Sequence, residues 1–165
     1  MKNTFAAIST GLTNSGISIV RMCGSNAVEI IDRVFKAKSG KKISEAKSHT
    51  IHYGHIYNND EIIDEVLVMY MKGPNSYTGE DTIEVNCHGG VLVTRKILET
   101  LISAGARAAE PGEFTKTAFL NGKMDLSRAE AVMDVINAKN DFALSSSVKQ
   151  LSGRVCEKIK AIREK

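Results

Sequence analysis

The sequence contains no tryptophan, and aromatic residues make up only 5% of its 165 positions. Proteins that hold single-stranded nucleic acid by base stacking depend on such rings, so a stacking platform of that kind is poorly supplied. Cysteine is scarce too: Cys23, Cys87 and Cys156 are odd in number and far apart, and no CxxC pair occurs. That excludes a disulfide framework and a zinc knuckle, and fits reduced thiols in a reducing compartment. No apolar run approaches the roughly 20 residues of a membrane-spanning helix, and nothing after Met1 resembles a secretory signal. A soluble, cytoplasmic protein is expected. Two phosphate-binding motifs are missing as well. GxxxxGK(S/T) fails because Gly40-Lys41 is followed by Lys42 and Gly122-Lys123 by Met124, and GxGxxG does not occur.

What is present suffices for a folded core: 42% of residues are hydrophobic and the net charge is only +3. Basic residues gather in two places, Lys36, Lys38, Lys41, Lys42 and Lys47, then Lys149, Arg154, Lys158, Lys160, Arg163 and Lys165. A solvated loop and a solvated helix face account for them, and direct RNA contact is the alternative.

Residues 5–9 and 17–22 read as strands separated by the turn-rich TGLTNSG. Ser25 is positioned to cap a helix over SNAVEIIDRVFKA, with Val28, Ile31 and Phe35 at helical spacing. After the lysine-rich loop, HTIHYGHIY and IIDEVLVMYMK flank Asn58-Asn59-Asp60, a hairpin signal. TIEVNC is a further strand, and it runs through His88-Gly89-Gly90 into a helix, VLVTRKILETLISAGA, closed by Gly105. The pattern predicts an α+β domain with a small mixed sheet over residues 1–118. Residues 119–165 read as the first helices of an α-helical domain. Asp125 is a plausible N-cap for LSRAEAVMDVINAK. Leu144, Val148, Leu151, Val155, Ile159 and Ile162 then form one apolar stripe, which implies packing on another subunit or on helices outside this sequence.

Several groups invite a chemical reading. His49, His52 and His55 have an HxxHxxH spacing, but on a strand His52 faces away from the other two, which stand roughly 20 Å apart. No metal site is expected. Cys87-His88 resembles a thiolate with its base, yet strand neighbours point to opposite faces. Gly89-Gly90, between a strand and a helix, removes two Cβ atoms where a ligand or another backbone can come close. The helix N-terminus beyond it offers unpaired N–H donors, and a plain tight turn is the alternative. Arg21 ends the second strand, Glu84 lies in the strand before the glycine pair, and Lys123 sits in the NGKMD break. Spacing alone does not bring these three together.

GPNSYTGEDTIEVNCHGG, followed by GARAAEPGEFTKTAFLNGKMDLSRAEAVMDVINAK, closely resembles the amino-terminal part of the tRNA-modification GTPase family MnmE/TrmE. AAIST and SIVRMCG near the start fit the same pattern, so the resemblance spans residues 4–165. One departure is the loop TGLTNSG, which lacks the proline usual in that family.

The resemblance implies a folate-binding amino-terminal domain that forms a homodimer, a helical domain, and a G domain inserted among the helices. It implies that 5-formyltetrahydrofolate, a tetrahydrofolate derivative and one-carbon donor, is contacted by Arg21, Glu84 and Lys123, with Gly89 and Gly90 as possible pocket backbone. It also implies a partner, the flavoprotein MnmG (GidA), with which the family places an aminomethyl-type group on carbon 5 of wobble uridine in tRNA. GTP, magnesium and potassium would bind only the G domain, whose motifs do not occur in these 165 residues. No catalytic residue is therefore expected in this chain, which reads as an amino-terminal piece. A dimerisation scaffold without ligand, or a basic RNA-contacting module, are the competing readings.

Overall fold

A computed structural model describes residues 4–153, which divide into two compact units that part between Phe114 and Thr115. The first unit holds a seven-stranded sheet of order β3-β4-β5-β6-β2-β1-β7. Its strands are β1 (Phe5–Ile8), β2 (Ser15–Cys23), β3 (Phe35–Ala37), β4 (Thr50–Asn58), β5 (Glu61–Met71), β6 (Thr82–Gly89) and β7 (Arg107–Ala108). All neighbours are antiparallel except β1 and β7, which run parallel, so the sheet is mixed and the unit is α+β.

Alternation along the strands places the core. Ser18, Val20 and Met22 of β2 and Ile83, Val85 and Cys87 of β6 are buried, whereas Ile19 and Arg21 between them are half-buried and Ile17, just before Ser18, is exposed. The buried side meets two helices, α1 (Ala27–Val34) and α2 (Val91–Ser103), through Ile30, Ile31, Ile97 and Leu101. Full burial of each such side chain is worth about 1.5–3 kcal/mol. The opposite side of the sheet carries Ile17, Ile51, Tyr53 and Leu67, all substantially exposed.

The hairpin follows the sequence signal, with Asn59 at φ 54° and Asn58 paired with Glu61. Two other expectations are corrected. The first helix stops at Val34, and Phe35 opens β3 against Ile56 instead of continuing the helical stripe. Its N-cap is Asn26, with no side-chain cap bond, and Ser25 Oγ donates to Asn26 Oδ1 at 3.0 Å.

The helix α3 (Glu113–Leu120) crosses the division between the units, and the second unit contains α4 (Leu126–Asn137) and α5 (Asp141–Leu151). Asp125 caps α4 as expected, its carboxylate accepting from the Arg128 N–H at 2.9 Å. On the apolar stripe, Leu144 and Val148 are exposed and line a groove of about 470 Å³ along α5. Val155, Ile159 and Ile162, like Cys156, lie outside the described residues. No helix among the described residues is long and apolar enough to cross a membrane.

Candidate functional site

Arg21 and Glu84 are direct cross-strand partners in the β2–β6 register, both on the face of the sheet away from α1 and α2. Cross-strand residues stand about 4.5–5.5 Å apart at Cβ, close enough for their side chains to pair. Arg21 Nε donates to Glu84 Oε1 at 2.8 Å, and Nη2 approaches the same oxygen at 2.7 Å. Neither partner is sealed off, at 29% exposure for Arg21 and 14% for Glu84. Among the described residues nothing hydrogen-bonds to Glu84 Oε2 or Arg21 Nη1. The pair thus retains one carboxylate acceptor and one guanidinium donor edge for an incoming molecule.

Two aromatic rings meet Arg21, at positions that sequence reasoning missed. Its guanidinium carbon lies 5.9 Å from the ring centroid of Tyr77 and 5.4 Å from that of Phe114. Tyr77 is presented by residues 72–81, the loop between β5 and β6, which is tied by its own polar side chains. Ser76 Oγ donates to Glu80 O at 2.5 Å and accepts from the Gly79 N–H at 3.0 Å. Asp81 Oδ1 accepts from the Gly73 N–H at 2.9 Å, and buried Thr78 shares a hydrogen bond with Cys23 Sγ at 3.0 Å. Phe114, in the first turn of α3, packs on Phe5 with ring centroids 5.0 Å apart. Arg107 lies 5.2 Å over the Phe5 ring and is held by both carboxylate oxygens of Glu113. Periodicity carries no trace of these rings, because one sits in a loop and the other at a helix start.

Lys123 belongs to the second unit, whereas Arg21 and Glu84 belong to the first. It follows the end of α3, where the Lys123 N–H bonds Ala118 O at 2.9 Å and the Gly122 N–H bonds Phe119 O at 3.0 Å. With Gly122 at φ 69°, this is the double-bonded helix stop that favours glycine just past the last turn.

The glycine pair does two different things. A Cβ on Gly89 would lie 2.2 Å from Ser15 Oγ and 2.3 Å from Ser15 O, so the close approach there comes from the chain's own strand β2. Gly90 is the N-cap of α2, and the Val91 N–H beyond it reaches Asn14 Oδ1 of the TGLTNSG loop at 3.4 Å.

Cys87 and His88 point to opposite faces as the pleat requires. Cys87 is buried, and burial pushes its thiol pKa up, away from a nucleophilic thiolate. His88 is exposed and bonds Asp64, its Nδ1 at 2.7 Å from Oδ1 while its backbone N–H donates to Oδ2 at 2.9 Å. That bond to Asp64 raises the imidazole pKa above its usual 6.5. A cavity of about 310 Å³ opens on the His88 side of the sheet, lined by Ile17, Tyr53, Glu65, Leu67, Asn86 and His88 among others. His49, His52 and His55 do not converge, and no metal-binding group of three occurs among the described residues.

The family model described as "GTP-binding protein TrmE N-terminus" matches residues 4–123. A protein of Lachnoclostridium phytofermentans named tRNA modification GTPase MnmE is 59% identical over 162 residues, covering 98% of this chain and 35% of the relative. Proteins of the same name from Thermoanaerobacter pseudethanolicus and Clostridioides difficile are 56% and 53% identical, each covering 99% of this chain and 36% of the relative. The chain therefore spans about a third of the length of the curated relatives it matches.

Proposed function

The chain belongs to the family of the TrmE amino-terminus, and from that premise we propose that it is the ligand-binding and dimerising module of a cytoplasmic tRNA-modification GTPase. The ligand is a reduced folate of the 5-formyltetrahydrofolate type, bound by Arg21 and Glu84 with Lys123 as a third contact. The observation that carries this reading is the Arg21–Glu84 pair, whose two donors converge on one carboxylate oxygen and leave the other with its acceptor capacity.

The donor set suits the ligand. A carboxylate accepts from the amino group and ring N–H of a pterin, the guanidinium edge beside it donates to acceptor atoms of the same ring system, and a further basic group meets the carboxylates of the tail by charge-assisted bonds. When bound, the folate supplies a one-carbon unit. The residues of this chain bind and orient it; GTP hydrolysis, with its magnesium and potassium, belongs to a G domain whose motifs are absent from this sequence. The modification of wobble uridine at carbon 5 is completed with the flavoprotein MnmG and tRNA.

Isothermal titration with 5-formyltetrahydrofolate tests the site. Hydrogen bonds to charged groups contribute about 1.5–3 kcal/mol each. Glu84→Ala is accordingly expected to weaken binding by roughly tenfold or more, at 1.4 kcal/mol per factor of ten. Unchanged affinity in Glu84→Ala would remove the site, and wild-type protein that gives neither heat nor thermal shift would remove the ligand.

The homodimer rests on a separate observation. The outer sheet face holds Ile17 at 65%, Ile51 at 59% and Leu67 at 45% exposure, apolar side chains on one face that a second copy would cover.

A further inference from the structure

We propose that Tyr77 and Phe114 are positioning residues for the Arg21–Glu84 pair, fixing the guanidinium in the orientation that the ligand meets. The inference rests on the ligand-binding reading above and extends it to two rings outside the charged set.

A half-open arginine on a sheet face has many rotamers, and ordering it at the moment of binding subtracts from affinity. Rings within about 6 Å of the guanidinium hold it by attraction of the cation to their faces, and Tyr77 and Phe114 both satisfy that distance. Each ring is itself held. Tyr77 stands between Ser76 and Thr78, both locked into the hydrogen bonds of the 72–81 loop. Phe114 rests on Phe5, which is 3% exposed, and Glu113 beside it is clamped to Arg107, whose guanidinium covers the Phe5 ring. Tyr77, Arg21, Phe114, Phe5 and Arg107 therefore form one chain of ring and cation contacts, with Glu84 and Glu113 holding its two guanidiniums. A lysine would not reproduce Arg21 here, because an ammonium lacks the fixed fork by which Nε and Nη2 both reach Glu84 Oε1.

The test compares Tyr77→Leu and Phe114→Leu with the ring-preserving Tyr77→Phe and Phe114→Tyr. Two readouts are taken: the Arg21 Nε–H resonance in the ligand-free protein, and titration with 5-formyltetrahydrofolate. The leucine variants are expected to lose the slowly exchanging Nε–H signal and roughly three- to tenfold in affinity. The ring-preserving variants are expected to keep both, a rescue that a role in folding alone would not produce. Leucine variants that retain the signal and the affinity would overturn the proposal. Should Phe114→Leu not fold, Tyr77→Leu in its surface loop decides the matter. If the wild-type protein binds no folate, the ligand reading falls, and the Nε–H signal still decides whether the rings position Arg21.

Discussion

Cys87 and His88 are neighbours on β6 with opposite surroundings, and each yields a prediction. His88 gains a carboxylate partner on folding, so its folded pKa exceeds its unfolded value near 6.5. The pair then contributes stability that is fully present below pH 6.5 and is lost as pH rises through the folded pKa. Melting temperature is expected to fall between pH 6 and 8 in the wild type and to flatten over that window in Asp64→Asn; scanning calorimetry across the range checks it. The Cys87 thiol, buried against Ser18 O and Thr94, is expected to react with aromatic disulfide reagents only as fast as the unit opens. At this scale the sequence indicated the types of the charged site residues but not their company. Arg21 and Glu84 could be named from the family motif, each on an expected strand, but spacing alone did not bring them together. That they face each other depends on the β2–β6 register, which couples residues 63 positions apart. Tyr77 and Phe114 were illegible because neither the loop nor the helix start has a repeating pattern.

Among the elements, the β2–β6 pairing is the one whose integrity decides the site. Gly89→Ala places a methyl group inside the contact distance of Ser15 O, and the backbone on one side must yield. A loss of about 1–3 kcal/mol is expected, read as a lower urea midpoint with an unchanged slope. Gly90→Ala meets only Val93 Cγ1, at 3.4 Å, and serves as the control. Long, strongly patterned elements were legible, including the hairpin, α2 and the capped α4. The failures share a cause: tertiary pairing overrode local pattern. Phe35 fits a helical stripe, but its ring is buried in the core next to β4, and that pairing ends α1 at Val34. The two residues of β7 are too few for any alternation, and they exist as a strand because β1 offers a free side.

For the whole molecule, the first unit has one covered sheet face and one bare one. Tyr53, Leu67, Asn86 and Ile19 form a continuous row across β4, β5, β6 and β2 on the bare side. If a second copy covers that row, Leu67→Glu is expected to convert a dimer into a monomer in sedimentation velocity, with the melting transition of the unit retained. A dimer that survives the charge would move the interface elsewhere. The sheet also ends in a three-residue strand, β3, on one side and a two-residue strand, β7, on the other. Flanks that brief offer an approaching strand little ladder of their own to extend, which works against side-by-side growth into ribbons. A second copy, as proposed above, would then meet the sheet broadside on its bare face instead of lengthening it.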